Sequence, residues 1–249
     1  MPFALETRKL CKSFGALTVA DAIDFRLEPG ARHALIGPNG AGKTTFVNML
    51  TGRLAPSSGA IFLNGEEITT LGQAARVKRG VGRTFQINTL FRELPVLDNV
   101  ALAVAERCGL ATRLWRPAGT HKEVIDEAGA LLAQLGLQPD ALRRVADLPY
   151  GKQRLVEIAI ALGMKPRVLL LDEPAAGVPS HESTRIVEVL QALPAQIAIL
   201  IIEHDMDLVR RFARRITVLA AGAVLTEGTP EEVMRDQRVR DVYLGELHA

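Results

Sequence analysis

Nine residues near the N-terminus constrain the chain most: Gly37-Pro38-Asn39-Gly40-Ala41-Gly42-Lys43-Thr44-Thr45. They follow the apolar run Ala34-Leu35-Ile36 and lead into Phe46-Val47-Asn48-Met49-Leu50. This is G-x-x-x-x-G-K-[ST] in the strand–loop–helix setting that a phosphate-binding loop needs. The glycines let backbone N–H groups turn inward as an anion nest. The positive end of the following helix adds to the attraction. Lys43 can reach the β- and γ-phosphates of a nucleoside triphosphate, and the Thr44 hydroxyl can ligate Mg²⁺.

The chain has 249 residues, enough for one large domain or two small ones with a substantial core. A net charge of +2 argues against nucleic acid as a partner. Cys11 and Cys108 lie far apart and form no metal-ligand spacing, which predicts two free thiols in a reducing compartment. The N-terminal Met1-Pro2-Phe3-Ala4-Leu5-Glu6 lacks the pattern of a signal peptide. The apolar run Ile197 to Ile202 covers six residues, whereas a membrane span needs about twenty. The expected location is therefore cytoplasmic, with any membrane association made through a partner.

Residues 3–35 read as short strands. Ile23, Phe25 and Leu27 alternate with Asp24, Arg26 and Glu28, and Pro29-Gly30 turns the chain into the next strand. Ile61-Phe62-Leu63 followed by Asn64-Gly65 predicts a strand entering a tight turn. Between 90 and 163 strand signals are scarce. Val124, Ile125, Ala128, Leu131, Leu132 and Leu135 keep helical spacing up to Gly136, and a second helix is expected over 153–162, stopping at Gly163. Val168 to Leu171 and Ile197 to Ile202 are unbroken apolar runs, the pattern of parallel strands covered on both faces. Ala221-Gly222-Ala223 predicts a hairpin between Ile216–Leu219 and Val224–Thr226. The layout is one α/β domain with a helical insertion.

Further residues carry chemistry. Leu169-Leu170-Leu171-Asp172-Glu173 is a hydrophobic strand ending in two carboxylates, and ligands of open parallel sheets sit at the carboxyl ends of strands. Asp172 can hold Mg²⁺, directly or through water, and Glu173 can polarise an attacking water as a general base. His204 follows the apolar strand in Ile201-Ile202-Glu203-His204-Asp205 and can donate a hydrogen bond to a γ-phosphate. The amide of Gln86, in Arg83-Thr84-Phe85-Gln86, can bridge a metal and a water.

These residues, in this order, resemble the ATPase subunit of an ABC transporter. Residues 37–45 look like its Walker A motif, Val168 to Glu173 like Walker B with the catalytic glutamate, Gln86 like the Q-loop glutamine and His204 like the switch histidine. Leu148-Pro149-Tyr150-Gly151-Lys152-Gln153-Arg154 stands where the family signature belongs, and Phe14 matches the aromatic that stacks on adenine. The resemblance implies an α/β P-loop NTPase fold over residues 3–249. It would comprise a RecA-like core with a parallel sheet (about 3–88 and 164–228), an N-terminal antiparallel β subdomain, an inserted helical subdomain (about 89–163) and a short C-terminal tail (about 229–249). It implies ATP and Mg²⁺ as cofactors, with Lys43, Glu173 and His204 catalytic, and Thr44, Gln86 and Asp172 at the metal. It also implies a dimer in which Pro149, Tyr150, Gly151 and Lys152 face the ATP held by the partner's P-loop.

A narrower resemblance rests on Arg83-Thr84-Phe85-Gln86, the long segment after it, Pro174-Ala175-Ala176-Gly177 and the ending Val242-Tyr243-Leu244-Gly245-Glu246. These look like the ATP-binding subunits of branched-chain amino acid importers, the LivG type. Subunits serving urea, short amides or lipopolysaccharide export are close relatives, and the last usually carries a different tripeptide before the Q-loop glutamine. The resemblance implies a second ATPase chain as partner (a homodimer being the alternative), membrane permeases and, indirectly, a periplasmic solute-binding protein. It puts the subunit on the cytoplasmic face of the plasma membrane. A soluble non-transport ATPase of the same fold, or a non-hydrolysing nucleotide-binding module, are the rival readings. Two departures stand out. Pro149 replaces the signature serine and offers neither hydroxyl nor N–H, while Lys152 replaces a usual glutamine and is expected to supply a compensating positive charge. Pro179 stands where the family's dimer-crossing loop carries Asp or Asn.

Overall fold

The computed structural model describes residues 2–84, 90–110 and 121–245. Two long strands, β1 (Leu5–Phe14) and β2 (Leu17–Leu27), open the chain, followed by β3 (Arg32–Ile36) and helix α1 (Lys43–Leu50). Next come β4 (Ser58–Leu63), β5 (Glu66–Glu67), α2 (Gln73–Lys78) and β6 (Val81–Arg83). Helices α3 (Val96–Arg107), α4 (Lys122–Gln134) and α5 (Tyr150–Gly163) occupy the middle. Then β7 (Val168–Asp172), α6 (Ser180–Ala192), β8 (Ala198–Ile202), α7 (Met206–Phe212), β9 (Arg215–Ala220) and β10 (Ala223–Gly228) alternate, and α8 (Pro230–Arg235) and α9 (Gln237–Gly245) end the described chain.

The strands form two sheets. An antiparallel sheet runs β2-β1-β4-β5, and a six-stranded sheet runs β10-β9-β3-β8-β7-β6. Within the second, β6, β7, β8, β3 and β9 are mutually parallel and only β10 is antiparallel to its neighbour. The apolar runs follow from burial on both faces. Ala34, Ile36, Leu169, Leu171, Ile199 and Ile201 point into one core with residues of α3, α4, α5 and α6. Their neighbours Leu35, Leu170, Leu200 and Ile202 point the other way, onto Phe46 and Met49 of α1 and Ile23 and Phe25 of β2. Period-two alternation along a strand with no polar face left over yields an unbroken hydrophobic run.

The turns obey local chemistry. Asn64 and Gly65, at φ 50° and 84°, join β4 to β5 as a two-residue hairpin of the kind that needs positive φ twice. The second hairpin differs slightly from the sequence expectation: Ala221 and Gly222 alone make the turn, and Ala223 already pairs with Ala220. Helix α4 ends before Gly136, which takes φ 71°. Helix α5 departs further. It begins at Tyr150, behind Pro149, ahead of the expected start at 153, and Gly163 is its last residue as the sequence predicts. A Cβ at position 163 would lie 3.3 Å from Val104 Cγ2 and 3.4 Å from Ala103 Cβ, so this glycine serves the close approach of α3 and α5. Met164 caps the helix, ahead of Lys165 at φ 51° and Pro166.

Candidate functional site

The sheet register brings the chemistry to one edge. Leu35 at the end of β3 pairs with Ile202 of β8, and Ile202 pairs with Asp172 of β7. The loop 37–42, Asp172, Glu173 and His204 therefore leave three adjacent parallel strands at the same level, at the carboxyl end where such sheets bind ligands.

The loop after β3 has the backbone of a cradle. Gly42 precedes α1 at φ 97°, and a Cβ there would strike the Val19 carbonyl at 2.6 Å. A Cβ on Gly37 would strike the Leu219 carbonyl at 2.1 Å. Ala41 is buried, whereas Asn39, Gly40 and Thr44 are exposed and Pro38 and Thr45 half-buried. The Lys43 ammonium turns back into the loop, donating to the carbonyls of Gly37 at 2.5 Å and Pro38 at 2.8 Å. Helix α1 is fixed from below by Phe46, Val47, Met49 and Leu50, all fully buried. Burial of the Phe46 ring alone is worth about 2 kcal/mol. The N-terminus of α1 thus opens onto solvent beside a lysine and two threonines, a donor set that suits a polyphosphate.

Glu173 holds φ 46°, a left-handed conformation uncommon for a non-glycine residue and frequent at functional sites. Its N–H donates to the Ile202 carbonyl at 2.9 Å, which ties it to β8. Its side chain is 47% exposed, and His204 Nδ1 lies 3.4 Å from Glu173 Oε1. Sequence reasoning missed the group that holds this pair. Glu203 is buried between them and accepts from the N–H of Ala175 at 3.4 Å and of His204 at 3.2 Å. Burial pushes its carboxyl above the usual range, against the pull of those backbone donors. A charged residue directly after a five-residue apolar strand was the available signal.

Asp172 is paired with Arg83, whose Nη2 donates to Oδ2 at 2.8 Å. Among the described residues no group of three or more His, Cys, Asp or Glu could hold a metal ion. A Mg²⁺ at Asp172 would thus depend on Thr44 and the nucleotide's own oxygens, as Mg²⁺ in phosphoryl-transfer sites usually does. Gln86 lies outside the described residues. Phe14 ends β1 with its ring half exposed, and the Lys12 ammonium sits 5.1 Å from the ring centroid. The ring lies outside the core, at the tip of a hairpin whose Val19 touches the phosphate-loop region.

The segment 148–154 opens α5 and packs on the loop after β7. Pro149 caps α5, Tyr150 is exposed with Gly177 against its ring, and Glu182 of α6 reaches over Gly151. Lys152 has a partner within its own chain. Its Nζ is 2.6 Å from Asp140 Oδ2, and Asp140 is almost fully buried and also bonded by Arg143 at 2.9 Å. The lysine next to it holds the Asp140 carboxyl below its ordinary pKa. Its charge is thus paired within the chain.

Comparison with known proteins agrees with this arrangement. The family model for ABC transporters matches residues 20–176, and that for the branched-chain amino acid ATP-binding cassette transporter matches residues 223–249. The chain is 38% identical to the high-affinity branched-chain amino acid transport ATP-binding protein LivG of Escherichia coli K12, over 97% of this chain and 98% of that one. It is 36% identical to the lipopolysaccharide export system ATP-binding protein LptB of Acidithiobacillus ferridurans, over 97% of each. Among solved structures, the ADP conformation of an ATP-binding cassette of an ABC transporter superposes with a TM-score of 0.88 at 30% identity, covering 98% of this chain and all of that one. With a phosphate loop, two strand-end carboxylates and a histidine gathered at one sheet edge, the chain belongs to the ABC transporter ATP-binding family and is an ATPase of that type.

Proposed function

We propose that this ATPase powers a branched-chain amino acid importer, bound to the cytoplasmic face of the membrane through permease subunits and paired with a second ATPase chain. The observation that carries the reading is the row Leu35–Ile202–Asp172, which aligns the phosphate loop with the acidic and histidine strand ends. The match of residues 223–249 to the branched-chain amino acid model supports the cargo class. Among the described residues no helix is long and apolar enough to cross a membrane.

In this reading Lys43 leaves the carbonyls of Gly37 and Pro38 for the β- and γ-phosphates, and backbone N–H groups of the loop and of the start of α1 complete the cradle. Phe14 stacks on adenine. Thr44, Asp172 and Gln86 would hold Mg²⁺, which would neutralise phosphate charge. Glu173 takes the proton of the attacking water, and His204 donates to the γ-phosphate while its Nδ1 stays near Glu173. Catalysis is positioning and charge neutralisation. Residues 149–152 face the partner's nucleotide, where Pro149 offers no donor. ATP closes the dimer and hydrolysis reopens it, a ligand-biased two-state motion. A helical core of about 89–163 carries that motion to the permease.

The test is reconstitution with the permeases and solute-binding protein of a branched-chain amino acid importer from the same organism, measuring ATP-driven uptake of labelled leucine into vesicles. Uptake abolished by Glu173→Gln supports the assignment. ATP-dependent urea uptake or lipopolysaccharide extraction without leucine uptake overturns the cargo, and ATP turnover with no permease association overturns the transport role.

A further inference from the structure

Arg83 joins Asp172 to α1. It ends β6, its side chain is 11% exposed, and its guanidinium makes two charge-assisted bonds. Nη2 donates to Asp172 Oδ2 at 2.8 Å and Nη1 to Asn48 Oδ1 at 2.8 Å. Asn48 belongs to α1, the helix that begins with Lys43 and Thr44, and Asp172 ends β7. One planar fork therefore fastens the strand-end carboxylate to the helix that carries the metal-site hydroxyl. A carboxylate's terminal torsion is broad and roughly two-fold when nothing holds it. Fixing Oδ2 fixes the direction of Oδ1 as well. Lysine, a point charge on a flexible stem, cannot span both acceptors in this way.

We propose that Arg83 is a positioning residue for the Mg²⁺ site: it orients Asp172 and locks its spacing from Thr44 before nucleotide arrives. This rests on the reading of Asp172 as the metal carboxylate. Partners that hydrogen-bond a metal-ligating carboxylate set its orientation, and losing one typically costs about 10- to 100-fold in metal affinity. The same guanidinium lines a cavity of about 90 Å³ together with Thr51, Val81, Leu90, Glu157 and Ile160. That cavity lies where β6 meets α5, so a change in packing there reaches Asp172 through a single side chain.

The experiment uses the full chain carrying Glu173→Gln, so that nucleotide persists. ATP binding is measured by calorimetry in EDTA and across a Mg²⁺ titration. Arg83→Gln is expected to raise the Mg²⁺ concentration for half-maximal tightening about tenfold while leaving binding in EDTA unchanged. Arg83→Lys should retain most of that defect, and Asn48→Ala should give a smaller shift in the same direction; these two keep the test open if Arg83→Gln does not fold. An unchanged Mg²⁺ titration in the Arg83 variants, with Asp172→Asn shifted, overturns the proposal and spares the reading of Asp172. An unchanged titration in Asp172→Asn overturns both. Equal loss of binding in EDTA and in Mg²⁺ makes Arg83 a structural tie only, and also overturns the proposal.

Discussion

Lys152 donates to Asp140 across 2.6 Å, and Arg143 holds the other oxygen of the same carboxylate at 2.9 Å. The pair joins α5 to the turn that follows α4, so Lys152 acts within its own chain. Lys152→Gln is therefore expected to leave hydrolysis by the assembled transporter within about twofold of the parent, while costing about 1 kcal/mol of stability for a half-exposed partner of a buried carboxylate. Asp140→Asn should cost more, on the order of 3 kcal/mol, because it leaves two cations facing a neutral amide. Denaturant unfolding and steady-state ATPase rates on the same preparations check both; a large rate loss in Lys152→Gln at unchanged stability would contradict this assignment.

The two nucleotide sites of the proposed heterodimer should differ. One joins Lys43, Asp172 and Glu173 of this chain to the partner's signature; the other relies on Pro149, which brings no hydroxyl and no N–H. Glu173→Gln is expected to lower single-turnover hydrolysis in the assembled transporter about tenfold more than the equivalent change in the partner. Equal losses would remove the asymmetry.

Glu157 gives the chain an alkaline weakness. It is buried beside Arg154, one of its carboxylate oxygens has no hydrogen-bond partner among the described residues, and desolvation raises its pKa from 4.5 to about 7. The folded state holds this proton more tightly than the unfolded chain. Its stability contribution is full below pH 4.5 and is lost as pH rises through about 7. Glu157→Gln should abolish that part of the slope, which amounts to at most about 3 kcal/mol. Parallel unfolding curves for parent and variant at pH 5 and pH 8 decide it: a constant difference between them would mean Glu157 does not titrate there.

His33 works in the opposite direction. Its ring is buried against Phe25, its Nε2 lies 2.8 Å from Thr217 Oγ1, and Thr217 in turn donates to Glu227 at 2.9 Å. Burial lowers its pKa from 6.5 to about 4, with Glu227 opposing the shift. The unfolded chain therefore takes up a proton that the folded chain refuses, and stability falls as pH drops from 6.5 toward 4. His33→Gln should be less stable than the parent at pH 7 yet lose less between pH 7 and pH 5. Urea midpoints at the two pH values measure this, and equal losses would contradict it.

Whatever depended on neighbours in sequence was legible there. The phosphate loop is local chemistry between one strand and one helix, and β7 and β8 declared themselves because both of their faces are buried. What escaped was set by partners far along the chain. Gly163 reads as a helix stop, which it is, but its close packing on Val104 of α3 does not show in the sequence. Lys152 reads as a free cation until Asp140 meets it. Arg83 stands out in the sequence only as the start of Arg83-Thr84-Phe85-Gln86, because nothing local announces a carboxylate brought to it by the pairing of β6 with β7.

Glu203 is the last such case and carries its own prediction. Its two oxygens accept from Ala175 N–H and His204 N–H, so one buried side chain holds the backbone after β7 against the backbone after β8. The 3.4 Å contact between His204 and Glu173 depends on that spacing. Glu203→Gln keeps one accepting oxygen but turns an NH₂ group toward a backbone N–H, leaving two donors face to face in a buried site. The expected result is a kcat lower by about 10- to 100-fold from misplacement of Glu173 and His204, with ATP binding in EDTA unaffected because the phosphate loop is untouched. Glu203→Asp, which retains both oxygens on a shorter stem, should recover part of the rate. If Glu203→Gln turned over at the parental rate, the spacing of Glu173 and His204 would not depend on this carboxylate, and the left-handed backbone at Glu173 would have to hold it alone.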